Sequence, residues 1–200
     1  MKFFSKNEII GVLSILIIIF IAFIYNLGLA QRRARDFQRR DDLGQITKAL
    51  EKYYADLAFY PLGDADGKMR ICPGDNFEDL VSEVSRLGQF QNEKYHHGLA
   101  PCDWGGAPLR DLTDPGYPSY LSVLPSDPRH EKGLSYRYES NGKVVQIFAH
   151  LEGGKTEVGY NQQIFERNIL CGVKICNFGV SISIPLDKSI SEYENELRIQ

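Results

Sequence analysis

The residues able to do chemistry are few and scattered. Four cysteines, Cys72, Cys102, Cys171 and Cys176, follow a long apolar segment. An even count in that position favours disulfides and an oxidising compartment. Three connectivities are possible, and Cys72–Cys102 with Cys171–Cys176 is preferred because each pair lies in one local region. Zinc is the competing reading, but Cys171-x4-Cys176 with His96, His97, His130 or His150 lacks a tight second ligand pair. Asp64-Ala65-Asp66-Gly67 hints at a calcium loop. Its glycine comes two places too early for the EF-hand pattern, so a solvated turn is expected. His96 and His97 read as surface loop residues. No Gly-rich phosphate loop or G-x-S-x-G elbow occurs. The carboxylates fall in loops or on a charged helix face, where solvation is the default. No enzyme, catalytic residue, metal or cofactor is expected.

The element that organises the chain runs from Glu8 to Leu57. Ile9 to Ala30 is 22 residues without a charge, long enough to cross a hydrocarbon core of roughly 30 Å at about 1.5 Å per helical residue. The chain continues without proline, and Leu43, Ile46, Leu50, Tyr53 and Leu57 recur at the 3-4-3-4 spacing of one helix face. One continuous helix, roughly 75 Å long, is the simplest reading. Glu8 at its start faces the positive end of the helix dipole.

Charge is unevenly divided. Residues 1–40 carry seven Lys/Arg against Glu8 and Asp36, whereas residues 41–200 carry 16 basic and 24 acidic side chains. An acidic outer region argues against non-specific nucleic-acid binding. Arg32, Arg33, Arg35, Arg39 and Arg40 follow the span and only Lys2 and Lys6 precede it, so the positive-inside rule opposes the export that the cysteines favour. Cleavage as a secretory signal at Gly28-Leu29-Ala30 is a third option, although the apolar run is long for one.

Tyr60-Pro61 must stop the helix, and Leu62 to Gly74 reads as loop. Asp75 or Asn76 caps a second helix ending near Leu87 and Gly88, with Phe77, Leu80, Val81, Val84 and Leu87 as its apolar face. Gln89 to Gly133 reads as irregular, pinned by Cys102, with Asp114-Pro115-Gly116 as a turn and one helical turn within Tyr117–Val123. Leu134–Glu139 and Lys143–Glu152, joined by Asn141-Gly142, predict a hairpin. Thr156–Tyr160 and Phe178–Ile184 predict a third and a fourth strand. Ser189–Leu197 predicts a terminal helix with Ile190, Tyr193 and Leu197 facing inward.

A basic leader, a Glu at the start of an unbroken apolar helix, and then A-R-D-x-x-R-x-x-D-L-x-x-I-x-x-A-L-x-x-Y-Y resemble type IV pilins and type II secretion pseudopilins. Ala34-Arg35-Asp36, Asp42-Leu43, Ile46, Ala49-Leu50 and Tyr53-Tyr54 carry that pattern. Phe59-Tyr60-Pro61 and Tyr120-Leu121-Ser122-Val123-Leu124-Pro125-Ser126-Asp127-Pro128 are similar to further family segments. The resemblance departs at the processing site, where Phe3 stands in place of the family's glycine and Phe4 keeps its phenylalanine. Cleavage by a prepilin peptidase is therefore not expected, and the chain is expected to keep Met1.

The expected architecture is α+β, a pilin-like long N-terminal transmembrane α-helix packed on a small antiparallel β-sheet. Its divisions are 1–30 (leader and span), 31–61 (outer half of the helix), 62–133 (loop region with a short helix) and 134–200 (sheet and C-terminal segment). The resemblance implies a structural subunit of a pilus or secretion pseudopilus. Such a subunit is anchored by a single pass with its C-terminal domain outside the cytoplasm, at the cell surface or in a pilus. Its partners would be other pilin or pseudopilin subunits, the membrane and an assembly platform protein, with Glu8 and Phe4 at the assembly site. The alternative is an uncleaved, membrane-anchored binding or accessory protein that does not polymerise.

Overall fold

The computed structural model describes residues 5–86, 92–114 and 116–199. The expectations for Phe3, Phe4, Leu87, Gly88 and Pro115 lie outside the described residues.

A single helix, α1 (Lys6–Leu57), runs unbroken for 52 residues. It starts at Ser5, whose hydroxyl accepts from Glu8 N while the Glu8 carboxylate accepts from Ser5 N at 2.7 Å, a reciprocal cap. It ends at Ala58 in the left-handed region, φ 53°, whose N–H donates to the Tyr54 carbonyl. The later elements are β1 (Met69–Cys72), α2 (Phe77–Arg86), α3 (Asn92–Gly98), β2 (Ala100–Cys102), β3 (Arg137–Ser140), β4 (Val145–Ala149), α4 (Gln162–Glu166), β5 (Leu170–Cys171), β6 (Lys174–Ile175), β7 (Phe178–Ile182) and α5 (Ile190–Ile199). The result is an α+β arrangement of one long apolar-headed helix and small antiparallel sheets.

The outer half of α1 lies on a three-stranded antiparallel sheet of order β3-β4-β7. Leu43, Ile46, Ala49, Leu50 and Tyr53 are buried against Tyr136, Tyr138, Val145, Ile147 and Ala149, and Leu57 is half-buried at the end of the stripe. β4 is central and buried along its whole length. On its second face Phe148 packs with Ile164 of α4 and with Cys171 and Cys176, whose disulfide closes the β5–β6 hairpin, while Gln146 donates to the Pro185 and Lys188 carbonyls. The β3–β4 turn uses Asn141, whose Oδ1 accepts from Lys143 N and Val144 N, and Gly142 at φ +89°. A Cβ at Gly142 would overlap the Phe59 ring, so this turn also pins the chain leaving α1.

Several expectations are corrected. Residues 62–74 are not all loop, because β1 pairs with β2 across the Cys72–Cys102 disulfide, Cα–Cα 5.5 Å. The stretch after Gln89 contains α3 and β2 rather than being wholly irregular. Tyr117–Val123 holds no helical turn; Leu121 instead bridges Leu109. Thr156–Tyr160 is not a strand. Gly159 sits at φ +91° and Glu157 turns to Arg40, so the segment folds across α1 and leaves β4 free to pair with β7. α5 forms, yet Leu197 is 55 % exposed, so only Ile190 and Tyr193 of its expected inner face are partly covered.

Candidate functional site

The inner half of α1 presents apolar surface on every side. Each of the fifteen large apolar side chains from Ile9 to Leu27 is 42–75 % exposed, and none packs on the chain's own domain. Keeping such side chains from water is worth roughly 1.5–3 kcal/mol apiece. Fifteen of them outweigh the roughly 5–15 kcal/mol that stabilises a domain, so this segment requires an apolar surrounding. Its polar side chains suit one. Ser14 Oγ donates to the Ile10 carbonyl at 2.9 Å, and Asn26 Nδ2 to the Ala22 carbonyl at 2.8 Å. Each thus turns one donor back onto the helix's own backbone. α1 thus holds one segment long and apolar enough to cross a membrane.

Where α1 meets the domain, its buried face changes from apolar to ionic. Counting back from Leu43 by the same 3-4 spacing reaches Arg39 and Asp36, and both are fully buried. Arg39 grips Asp127 with two parallel bonds, Nε–Oδ2 2.7 Å and Nη2–Oδ1 2.9 Å. Its Nη1 reaches Asp36 at 2.8 Å and Glu152 at 2.9 Å. Glu152 also accepts from Arg35 and from Arg129. Asp36 accepts from Glu152 N and Gly153 N as well, which fixes the turn after β4 to the helix. One turn further, Arg40 holds Glu157 and the Val158 carbonyl.

The electrostatics follow from this packing. Burial favours the neutral form of Arg39, but its three carboxylate partners outweigh it and raise its pKa. Burial pushes the Glu152 carboxyl up, while the hydrogen bonds from Arg35 and Arg39 pull it down further, to about 2. Asp42 shifts the other way. Burial raises it against the hydrogen bond from Tyr136, whose phenol burial raises too.

Among the residues singled out from sequence, Glu8 is exposed and engaged by its own helix cap. Leu43, Ile46, Leu50 and Tyr53 sit in the helix–sheet core with Leu57 at its edge. Cys72 is bonded to Cys102 and Cys171 to Cys176, so none is a thiolate for zinc. Asp64 Oδ1 accepts from Lys68 N in a turn. His97 is exposed, but His96 is not a surface residue. It is fully buried among Tyr53, Phe59 and Tyr95 with neither ring nitrogen hydrogen-bonded. Burial, with His97 nearby, lowers its pKa to about 4. Among the described residues no group of three His, Cys, Asp or Glu side chains could hold a metal ion.

The ionic collar was not expected from the sequence, where these carboxylates read as solvated and the arginines as topology signals. The available signal was register, since 36, 39, 43, 46, 50, 53 and 57 lie on one face of an α-helix. Comparison with known protein families, with curated proteins and with solved structures finds no match.

Proposed function

We propose that this chain is a structural subunit of a type IV pilus or type II secretion pseudopilus, held in the membrane by α1 and packing through that helix against other subunits. The observation that carries the reading is the division of α1. One uninterrupted 52-residue helix leaves its first half uncovered on all sides and buries one face of its second half in a small α+β domain. Such a helix suits both lipid and a bundle of like helices, because either removes the apolar half from water. The collar supports the reading in a second way. Arg39 and Asp127 belong to the two sequence segments that carry the pilin resemblance, and they are in direct contact. The assembly platform protein and neighbouring pilin-like subunits are the implied partners, with Glu8 and Phe4 at the assembly end.

A specific observation also favours an anchored protein that does not polymerise. Phe3 occupies the position where the family has the glycine before its cut, and Glu8 is engaged with its own Ser5 N–H.

Intact mass of the protein purified from membranes, with electron microscopy of the sheared surface fraction, tests the proposal. Filaments containing this chain support the subunit reading. A chain retaining Met1 and absent from every filament fraction selects the non-polymerising anchor. Recovery in the soluble fraction refutes both.

A further inference from the structure

The collar is balanced, and two arginines of α1 stand outside it. Asp36, Asp127, Glu152 and Glu157 are met by Arg35, Arg39, Arg40 and Arg129. Arg32 and Arg33 come before this set on α1 and take no ion pair among the described residues. Arg32 lies on the domain-facing side, half-buried, and its Nε is buried without a hydrogen-bond partner. Arg33, 100° further round the helix, is exposed. Both stand about 3–5 Å along the axis beyond Ala30, the last residue of the uncharged span. That is the depth of lipid headgroups for a helix placed in a bilayer. A partly buried guanidinium with an unsatisfied N–H needs an acceptor, and the nearby carboxylates are already taken. Lys155, exposed and without an ion pair among the described residues, stands in the turn whose Gly153 N–H bonds Asp36.

We infer that Arg32 and Arg33 form a binding site for the phosphate of anionic phospholipids at the point where α1 leaves the bilayer. The inference rests on the membrane-anchored reading. The guanidinium fork matches a phosphate with two parallel N–H donors, and the surplus charge selects an anionic lipid over a zwitterionic one. Arg39 supplies the internal contrast. It is the same residue type on the same face, but its donors are satisfied by protein, so it fixes the domain while Arg32 grips the lipid.

The full chain is reconstituted in phosphatidylcholine bilayers containing spin-labelled phosphatidylglycerol or spin-labelled phosphatidylcholine. The fraction of motionally restricted label is then read for each lipid. Wild type should prefer phosphatidylglycerol, and Arg32→Gln and Arg33→Gln should each reduce the preference by about fivefold at low salt. Lys143→Gln, on the distant hairpin turn, should leave it unchanged. Unaltered Trp104 emission in the variants shows that the domain remains folded. Equal restriction of both lipids by wild type, or a preference that survives the double substitution, overturns the inference while leaving the anchor intact. Binding of inorganic phosphate that Arg32→Gln abolishes, with no preference for phosphatidylglycerol in its absence, assigns the site to free phosphate and also overturns it. If neither label is restricted, the anchored reading falls and this inference falls with it.

Discussion

Replacing Arg39 by methionine keeps most of the buried stem and removes the charge that holds the collar together. Asp36 retains two backbone donors and Glu152 retains Arg35 and Arg129, so neither is stranded. Asp127 is. Its side chain is fully buried and keeps only the Arg129 N–H at 2.7 Å. Breaking a buried pair from one side typically costs 3–5 kcal/mol, a large share of the roughly 5–15 kcal/mol available. At about 2–4 °C per kcal/mol for a domain of this size, the midpoint should fall by roughly 6–20 °C. The assay is thermal and urea unfolding of the full chain in detergent micelles, followed by emission of Trp104, which packs edge-on against Tyr136 in the core. The double variant Arg39→Met with Asp127→Leu removes both charges and should recover most of the loss, because the penalty lies in the orphaned carboxylate. A single-variant cost under about 1 kcal/mol, or a double variant no better than the single, would refute this account of the collar.

Other outcomes are equally concrete. Folded His96 is held neutral down to about pH 4 against an ordinary value of 6.5. The unfolded chain therefore binds more protons in that window, and stability should be complete above pH 6.5 and fall by about 3 kcal/mol as pH drops to 4. His96→Phe should flatten that slope in pH-dependent urea titrations and, by removing two unsatisfied nitrogens, raise stability at pH 5. Glu152, held at about 2 against 4.5, should add a second loss confined to pH 4.5 down to 2, absent in Glu152→Gln. Replacing Cys72 and Cys102 by serine should cost roughly 3–4 kcal/mol in the chain-entropy account. Hydrogen exchange should then quicken in β1, β2 and α3 before it changes in the β3–β4 hairpin. A reporter fused after Gln200 should score as exported; a cytoplasmic score would overturn the proposed orientation.

What could be read from sequence was whatever a single long period encodes. α1 was legible because an uncharged run and a 3-4 stripe follow one another without proline, and the hairpin because Asn141-Gly142 separates two apolar strands. The β1–β2 ribbon was not, because β1 alternates over only four residues and its three-residue partner contains Pro101. The disulfide, not periodicity, holds them together. Thr156–Tyr160 has the residues of a strand, but Arg40 captures Glu157 and Gly159 turns the backbone. This is a long-range contact overriding local preference. His96 looked like a loop residue because nothing in a His-His pair reveals that α3 will press one of them against Tyr53 and Phe59. The collar was half legible. Its helix residues follow the stripe, but Asp127 and Glu152 join it from 88 and 113 residues away.

The collar also bears on the disagreement between the arginines and the cysteines over orientation. The positive-inside count sets five arginines after the span against Lys2 and Lys6 before it. Arg35, Arg39 and Arg40 have another reason to be there, because each is committed to a carboxylate of the folded domain. Replacing them to suit insertion would strand Asp127 and free the turns after β4, so folding alone is enough to keep them. The remaining pair, Arg32 and Arg33, is matched in number by Lys2 and Lys6. With the charges level in that sense, the two disulfides carry the greater weight, since such bonds persist on the oxidising side of a membrane. The proposed orientation, with the domain outside the cytoplasm, therefore requires only that an arginine be counted by what it binds as well as by where it falls in the chain.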